Sequence, residues 1–522
     1  MKYLNWITFL AVITCSSVFA ASRPNVVFIF ADDMGYGDVS GLNPESKIET
    51  PHLDRMIDEG MYFTDAHTSS SVCTPSRYSL LTGRYAWRTH LKAGVLAGVS
   101  PHLIDPDRMT VADVFKADGY DTACIGKWHL GMDFSFSGGK PAPKKGRHTI
   151  PDNLEWTEPI KNGPNANGFD YFYGMSASLD MPPYIYIENQ EVQGLPTATK
   201  AFFRKGPAHP DFEARDVMGE FTSRTVDYIE NHEGDKPFFI YMPLTAPHTP
   251  IVPSKDFRGQ SDLGSYGDFC IEVDWTVGQV VEALERKGIL ENTLVIFSAD
   301  NGCSKAAVNQ SAGKMELVPQ TSESDAHHPS FIYRGSKSDN WEGGHRVPLI
   351  LQWPSGIEPG TQSDAVIGLT DFMATMADLL GVEIPSNAAE DSLSFLPALN
   401  GEAVDTSKRE GIVHHSVSGQ FAIRRGDWKL ILSPGSGGWT PPTDEEAEEQ
   451  GLPPIQLYNL AEDPSESNNL QSQYPEGVAL LAALLNTYIE SGASVDGKTG
   501  QNDPLKRQRW TQRKSITPLL QN

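Results

Sequence analysis

The stretch "NVVFIFADD", residues 25–33, has the composition of a buried strand that ends in acidic residues. β-Branched and aromatic residues fill its first part, and Asp32 and Asp33 follow at its carboxyl end. A continuous apolar run of this length is typical of a strand buried on both faces of a parallel sheet. In such sheets, ligands bind outside the carboxyl ends of the strands. The two carboxylates are therefore the first candidates for a functional site.

Further along the chain, helical patterns alternate with strand patterns. The helical patterns cover 110–119, 218–232 and 268–288, and each precedes an apolar strand run, at 120–129, 237–248 and 293–302 respectively. One more apolar run, "VPLILQWP", follows at 347–354. Alternation of this kind predicts an α/β fold with a large, mostly parallel sheet sandwiched by helices.

Composition and charge narrow the class of partner. The chain has 522 residues, 39% of them hydrophobic and 21% charged, which is ordinary globular usage. Its formal net charge of −25 argues against a nucleic-acid binder, because such proteins neutralise phosphates with clustered cations. An anionic substrate would need a local positive site on this acidic protein.

The first 20 residues resemble an export signal. Lys2 precedes the apolar run at 6–15, and Val18 and Ala20 fit the small-residue rule for cleavage after Ala20. Cys15 as a lipidation site is the alternative. We expect an exported protein, periplasmic or secreted, without a transmembrane anchor, since no later run reaches about 18 apolar residues.

The four cysteines that follow this leader do not form a disulfide-rich pattern. Cys124 and Cys270 lie in apolar surroundings and are predicted to be buried hydrophobic side chains. A single disulfide among Cys124, Cys270 and Cys303 stays open. Cys73 differs because Pro75, Ser76 and Arg77 follow it closely.

Polar residues follow four of the predicted strands. Because a parallel sheet brings its carboxyl ends to one rim, these residues are expected to lie together. The set comprises Asp32, Asp33, Lys127, His129, His248, Asp300 and Asn301. Its carboxylate and amide oxygens suit a hard cation, calcium before magnesium, better than zinc.

Arg77, Lys127, His129 and His248 offer donors or cations that would hold an oxyanion. A metal together with these cations would stabilise charge developing on a tetrahedral anion. The alternative from a different class, a binding protein for anionic glycans, would need the cations but has little use for a nucleophile.

Six segments together resemble one enzyme family. "CTPSRYSLLTGR" (73–84) resembles the C-x-P-S-R and L-T-G-R pattern of the formylglycine-dependent sulfatases, and "GKWHLG" (126–131) is similar to their second motif. The family's other marks occur in order, as "ADD" (31–33), "PHTP" (247–250), "ADNG" (299–302) and "RGSKSDNWEGGHRVP" (334–348). The resemblance implies an alkaline-phosphatase-like sheet with a smaller C-terminal α+β subdomain that contains an antiparallel sheet.

The resemblance also implies a role for each motif residue. Cys73 would be converted to formylglycine (3-oxoalanine) by a maturation enzyme; one hydroxyl of the hydrated aldehyde would attack sulfur, and the other would then expel sulfate. One calcium ion would be held by Asp32, Asp33, Asp300, Asn301 and residue 73. Arg77 and Lys127 would steady the sulfate, and His129 would assist the elimination. His248 and Lys337 would contact the sulfate, with His248 protonating the leaving alcohol. Lys305 is a weaker alternative to Lys337.

The implied function is release of sulfate from a sulfated carbohydrate, the substrate class that suits an exported protein. The segment 176–194 has aromatic and polar residues suited to a sugar pocket. The alternatives are a phosphonate or phosphate monoester hydrolase of the same superfamily and a catalytically silent glycan-binding paralogue.

We expect three parts: a signal peptide (1–20), a catalytic domain (23–405) and a C-terminal subdomain with a tail (406–522). Within the last, 420–433 is expected to be one antiparallel strand and 475–492 a helix. His345 is interpreted as structural, and the histidine pairs at 327–328 and 414–415 as surface or substrate-rim residues. The basic tail at 505–514 is interpreted as a solvated end.

Overall fold

The computed structural model describes residues 23–143, 146–304, 327–504 and 516–520. The predicted leader (1–20), Lys305 and the basic tail (505–514) lie outside these described residues. None of the helices within the described ranges combines the length and apolar character needed to cross a membrane.

The chain forms 18 strands in the described residues. In order, they are β1 Asn25–Ala31, β2 Met61–Phe63, β3 Ala66–His67, β4 Asp121–Lys127, β5 Tyr171–Met175, β6 Ile187–Glu188, β7 Glu191–Val192, β8 Ala198–Ala201, β9 Lys205–Ala208, β10 Phe238–Pro243, β11 Thr293–Ala299, β12 Leu349–Gln352, β13 Thr361–Ser363, β14 Ile367–Gly368, β15 Ile412–His415, β16 Phe421–Arg425, β17 Trp428–Ile431 and β18 Gln456–Asn459.

Ten of these strands build one large sheet, in the order β13-β2-β12-β11-β1-β10-β4-β5-β6-β7. Its five central strands, from β11 to β5, run parallel, whereas β12, β6 and β7 join the flanks antiparallel to their neighbours. The central strands β1, β10 and β11 are almost wholly buried, which explains their continuous apolar sequences. The predicted fold class is confirmed, with the addition of antiparallel flanks.

Ten α-helices accompany the strands in the described ranges. They are α1 Pro51–Asp58, α2 Cys73–Thr82, α3 Val111–Ala117, α4 Val217–Asn231, α5 Ser265–Lys287, α6 Glu342–His345, α7 Phe372–Leu380, α8 Leu396–Leu399, α9 Asp444–Glu449 and α10 Pro475–Ser491. Three of them, α3, α4 and α5, match the helical patterns in the sequence. Helix α3 packs on α7, and α4 packs along α5, so the helices flank the large sheet in groups.

A second, smaller sheet contains β15-β16-β17-β18, all antiparallel, and α10 packs against it. The expectation of one strand over 420–433 is wrong, because this segment is the hairpin β16-β17. Arg425 pairs with Trp428, so Gly426 and Asp427 form a two-residue turn, and Gly426 adopts a φ of 57°. Glycine tolerates this left-handed conformation, which two-residue hairpin turns require.

The domain boundary near residue 405 stays a prediction. Hydrogen bonds nevertheless join the small sheet directly to the large domain. The end of strand β15 is hydrogen-bonded to residues 69–71 of the large domain. His415 N donates to the Ser69 carbonyl at 3.1 Å, and Ser71 N donates to the His415 carbonyl at 3.2 Å. The small sheet is therefore hydrogen-bonded to the segment that leads into α2.

A buried polar cluster reinforces this junction. Lys429 Nζ lies 2.9 Å from Glu342 Oε1, 2.9 Å from Glu466 Oε1 and 3.0 Å from His345 Nε2. The chain of contacts continues through His345 Nδ1 to His67 Nδ1 at 3.1 Å. Charges and imidazoles from the small sheet, α6 and β3 thus share one buried network, and the structural interpretation of His345 agrees with this position.

The prediction that the 414–415 histidine pair lies at the surface or at the substrate rim is wrong. Both His414 and His415 are buried, at 1% exposure. The ring of His414 stacks on that of His345 with centroids 3.9 Å apart, and its Nδ1 donates to the Thr68 carbonyl at 2.9 Å. Burial lowers the pKa of both histidines, so these rings are neutral packing elements of the junction.

The four cysteines of the described ranges are all free and buried. The prediction that Cys124 and Cys270 are buried is confirmed, since both are fully buried. No disulfide joins Cys124, Cys270 or Cys303 among the described residues.

Replacing Lys429 with methionine should strongly destabilise the protein. The substitution leaves the buried carboxylates of Glu342 and Glu466 without their shared cation, and breaking a buried pair in this way costs about 3–5 kcal/mol. Urea denaturation followed by fluorescence measures the free energy of unfolding. The control is Arg55→Met, whose two exposed ion pairs with Glu59 and Glu285 should each contribute at most about 1 kcal/mol. Equal losses for the two variants would contradict the importance of the cluster.

Candidate functional site

The carboxyl ends of neighbouring central strands meet at one rim of the large sheet. Asp32 and Asp33 follow β1, Lys127 ends β4, and Asp300 and Asn301 follow β11. These strands are close together in the sheet order β11-β1-β10-β4, and the five side chains are buried. The parallel sheet therefore brings residues distant in sequence into one polar cluster.

Cys73 lies in the middle of this cluster as the first residue of α2. Its Sγ atom is 3.6 Å from Asp32 Oδ1 and 3.6 Å from Lys337 Nζ. Burial, and then the charge of Asp300, raise the pKa of the Cys73 thiol far above its ordinary value. An unmodified Cys73 is thus a neutral thiol, which is a poor nucleophile because the thiolate is the reactive form.

Each buried carboxylate of the site has its own cation. Lys127 Nζ lies 2.6 Å from Asp32 Oδ2, and Lys337 Nζ lies 2.6 Å from Asp33 Oδ1. Arg77 contacts Asp300 Oδ2 through Nε at 2.9 Å and through Nη2 at 2.8 Å. The three negative and three positive charges balance, which is the condition for burying them.

The pairing keeps Asp32 and Lys337 ionised inside the protein. Burial alone would raise the pKa of Asp32, but Lys127, His248 and Arg77 hold it well below the usual range. Burial alone would lower the pKa of Lys337, but Asp33 raises it above its ordinary value. The site therefore keeps a positive Lys337 and a negative Asp32 over the whole physiological pH range.

His129 presents an unprotonated ring nitrogen at the site. Its Nε2 lies 3.0 Å from the Leu96 carbonyl and therefore carries the proton, whereas Nδ1 has no hydrogen-bond partner within the described ranges. Burial and the charge of Lys127 lower the pKa of His129 well below its ordinary value. Its φ of 56° lies in the left-handed region, a strained conformation for a non-glycine residue. The fold thus holds a neutral imidazole with a free lone pair.

Whereas His129 is held through Nε2, the ring of His248 is held through Nδ1 and directs Nε2 towards the site. Its Nδ1 lies 2.5 Å from the carbonyl of Thr249, and its Nε2 lies 3.7 Å from Asp33 Oδ2. Ser178 Oγ lies 3.3 Å from Nδ1. The Nε2 edge of His248 therefore faces the acidic cluster and can carry a proton there.

The oxygen-rich part of the cluster fits a hard cation. Asp32 and Asp33 belong to a compact group of potential ligand atoms that lie within 4.8 Å of one another. Asn301 donates from Nδ2 to Asp33 Oδ1 at 2.7 Å, while its buried Oδ1 lacks a partner in the part of the chain that is described. Asp300 Oδ1 accepts from Asp33 N at 3.1 Å. An unpaired amide oxygen beside three carboxylates matches the all-oxygen ligand set that Ca²⁺ or Mg²⁺ prefers.

A cavity of about 220 Å³ opens above Cys73. Of the residues predicted from the sequence, Cys73, His129, His248 and Lys337 line it, whereas Lys305 lies outside the described residues. Ten further residues that the sequence analysis did not name individually also line the cavity, namely Val72, Gly94, Val95, Arg147, His148, Asp180, Met181, Arg204, Val417 and Trp439.

The sequence pattern indicated only some of these additional cavity residues. Asp180 and Met181 lie within the predicted pocket segment 176–194, and Asp180 follows β5, the next parallel strand of the sheet. Val417 and Trp439 come from the region of the small sheet, and no local pattern indicates that they reach the rim of the large one.

Comparisons with known proteins identify the family to which the chain is similar. The family model described as Sulfatase matches residues 24–382, and the model described as N-sulphoglucosamine sulphohydrolase, C-terminal, matches residues 337–490. An N-acetylgalactosamine-6-O-sulfatase from Bacteroides thetaiotaomicron is 33% identical over 510 residues, covering 90% of this chain and 93% of the relative. Human arylsulfatase A is 32% identical over 471 residues, covering 86% of this chain and 84% of the relative.

A solved structure supports the same assignment of fold. It comes from work on glycosaminoglycan metabolism by Bacteroides thetaiotaomicron and superposes with a TM-score of 0.74 at 31% identity. The match covers 90% of this chain and 99% of that chain. The likeness therefore extends over both sheets.

Bound calcium should stabilise the folded protein through the side-chain oxygens of Asp32, Asp33, Asp300 and Asn301. A cation that binds only the folded state at 100 times its Kd adds about 2.7 kcal/mol, so Ca²⁺ should raise the melting temperature and EGTA should lower it. Asn301→Ala should reduce this calcium-dependent increment by removing one ligand oxygen. The control is Asn167→Ala, at another buried asparagine, which should lower the melting temperature but keep the increment. An increment that Asn301→Ala leaves unchanged would exclude Asn301 as a ligand.

Proposed function

The chain belongs to the sulfatase family and hydrolyses sulfate esters of sulfated carbohydrate, and we propose that it does so with a formylglycine made from Cys73 and one bound Ca²⁺. The observation that carries this proposal is the position of residue 73. It lies 3.6 Å from both Asp32 Oδ1 and Lys337 Nζ, where its thiol is protonated and unreactive. A modified residue 73 explains why so many charges converge on a poor nucleophile.

The two additions supply what the chain itself lacks. Formylglycine supplies the hydroxyl groups of a hydrated aldehyde as nucleophile, and bound Ca²⁺ supplies positive charge that polarises the sulfate and lowers the pKa of that nucleophile. Asp32, Asp33, Asp300 and Asn301 would hold the ion together with residue 73. The unpartnered Oδ1 of Asn301 supports this ligand set.

The cations of the site bind and orient the sulfate group. Lys127, Lys337 and Arg77 place positive charge around residue 73, and all three are buried, so that water competes little with their hydrogen bonds. Charge that develops on the sulfate oxygens in the transition state is stabilised by donors already in place. Because the three cations are balanced by Asp32, Asp33 and Asp300, the surplus positive charge that an anionic substrate needs would come from the bound Ca²⁺.

Two histidines move the protons. His129 Nδ1, with its free lone pair, accepts the proton of the hydroxyl group on residue 73 that later expels sulfate. His248 lines the cavity with Nδ1 held by the Thr249 carbonyl, so that the ring in its doubly protonated form would donate the Nε2 proton to the oxygen of the leaving alcohol. A sugar alkoxide is a poor leaving group, so this protonation matters most for carbohydrate substrates.

The sulfatase relatives reported above favour this reaction over phosphonate or phosphate ester hydrolysis. We further propose that the chain is exported by its leader at 1–20, to the periplasm or the medium, and is matured by a formylglycine-generating enzyme that recognises Cys73, Pro75 and Arg77. Its partner outside the cytoplasm is then the sulfated glycan, which suits a role in polysaccharide degradation.

Mass spectrometry of the active protein tests the nucleophile. The peptide that contains residue 73 should have the mass of the aldehyde or its hydrate, not of cysteine. Cys73→Ala should lose at least about 10⁴-fold in kcat, since removal of a nucleophile leaves only binding and electrostatic stabilisation. Cys124→Ala, at a buried cysteine outside the site, is the matched control and should remain active. An intact thiol in fully active enzyme would refute the proposal.

The role of His248 is tested by varying the leaving group. His248→Ala should lower kcat by about 10²–10⁴-fold for a sugar sulfate, the usual contribution of general acid catalysis. The loss should be much smaller for 4-nitrophenyl sulfate, because nitrophenolate leaves without protonation. Equal losses for both substrates would show that His248 binds sulfate and does not protonate the alcohol.

A further inference from the structure

The cavity above residue 73 extends beyond the groups that hold sulfate. Its lining also includes Asp180, Arg204 and Trp439, none of which the proposed chemistry uses. At about 220 Å³ the cavity is smaller than the roughly 300–1,000 Å³ typical of ligand pockets. The room beside the sulfate therefore suits a single small ring.

Asp180 offers an acceptor that nothing in the described protein uses. The residue is only 5% exposed, and its Oδ1 has no hydrogen-bond partner within the described ranges. Its Oδ2 and its backbone carbonyl both accept from Arg204 Nη1. Burial alone would raise the pKa of Asp180, but His248 and Arg204 lower it, so the carboxyl group is ionised.

A buried and unpaired carboxylate oxygen is costly unless a ligand satisfies it. Arg204 compensates the charge of Asp180 and holds its carboxylate in one orientation, so that an anionic substrate is not repelled. The free Oδ1 is therefore suited to accept a hydrogen bond from a neutral donor such as a sugar hydroxyl.

Trp439 offers the complementary apolar surface. The side chain is 54% exposed although its backbone is fixed, since its N–H donates to Ser338 Oγ at 2.9 Å and to Asp339 Oδ1 at 3.0 Å. These acceptors directly follow Lys337, which contacts residue 73. The backbone of Trp439 is thus held close to the lysine loop, and its large aromatic side chain lines the cavity.

Resting on the sulfatase function above, we propose that Asp180 and Trp439 form the subsite for the sulfated sugar ring. Asp180 Oδ1 accepts a hydrogen bond from the ring hydroxyl next to the sulfate ester, and Trp439 packs against the C–H face of the ring. Because the cavity holds one ring, the enzyme removes sulfate from terminal sugars and not from the interior of a chain.

The test compares substrates as well as variants of the matured, full-length enzyme. The substrates are a sulfated monosaccharide, its analogue without the hydroxyl next to the sulfate, and 4-nitrophenyl sulfate, which has no such hydroxyl. The variants are Asp180→Ala and Trp439→Ala, with Tyr474→Ala as the control at an aromatic side chain that is 48% exposed and outside the cavity.

For Asp180→Ala, the ratio of kcat/KM for the sugar sulfate to kcat/KM for the aryl sulfate should fall roughly tenfold to hundredfold, as for loss of a hydrogen bond to a charged group. The deoxy analogue should show a similar loss with the wild type and little further loss with the variant. Trp439→Ala should raise KM for the sugar about three- to tenfold, and Tyr474→Ala should change nothing. Equal losses on sugar and aryl sulfate, or a deoxy analogue as good as the parent, would overturn the proposal.

Binding separates this proposal from the proposed reaction. In the unreactive Cys73→Ala background, calorimetry should show that Asp180→Ala weakens sugar-sulfate binding about tenfold, whether or not the wild type releases sulfate. Wild-type protein without sulfate release would refute the reaction but not the subsite, whereas unchanged binding would refute the subsite. Trisaccharides sulfated only on the terminal or only on the middle ring test end specificity, and equal release from both would overturn it.

Discussion

Three buried ion pairs around residue 73 are the constraint on which the rest of the structure depends. Asp32, Asp33 and Asp300 are stable inside the protein only because Lys127, Lys337 and Arg77 lie beside them. The partners come from β1, β4, β11, α2 and the loop before α6, so the geometry of the site requires all of these elements to be in place. The same balance of charge leaves the rim able to accept an anion and a cation together.

The small sheet supports these ion pairs through hydrogen bonds to the segments that lead to Cys73 and Lys337. Strand β15 bonds to the segment before Cys73, and Ser338 N donates to the Ser71 carbonyl at 2.8 Å. Lys337 N donates to the Cys303 carbonyl at 2.9 Å, which ties the lysine loop to the strand end that carries Asp300. Displacement of the small sheet would therefore disturb the nucleophile and its lysine at once, although most catalytic groups belong to the large domain.

Chemistry and recognition are assigned to different parts of the fold. Of the groups proposed to handle sulfate and its metal, Asp32, Asp33, Lys127 and Asp300 stand at the ends of central parallel strands, whereas Cys73 and Arg77 lie on α2 and Lys337 on the loop before α6. Asp180 lies on the connection between β5 and β6, Arg204 in the turn between β8 and β9, and Trp439 between β17 and α9. The proposed sugar contacts therefore lie on connections, which tolerate sequence change more readily than buried strands.

Much of the fold and of the site could be predicted from local sequence. The apolar runs that end in Asp32, Lys127 and Asp300 indicate parallel strands. Because the carboxyl ends of such strands share one rim, the sequence alone predicts that these residues lie close together. Local patterns failed where a distant element decides the environment. His414 looks like a surface histidine but is buried by Thr68 and His345, the turn at Gly426 divides an apparent single strand, and Trp439 gains its position only through Ser338 and Asp339. The sequence by itself determined the fold class and the residues around the sulfate, because strand pattern and motif spacing are local. The tertiary structure alone decided the charge pairing and the cavity that we propose for the sugar, because both depend on contacts between residues far apart in the chain.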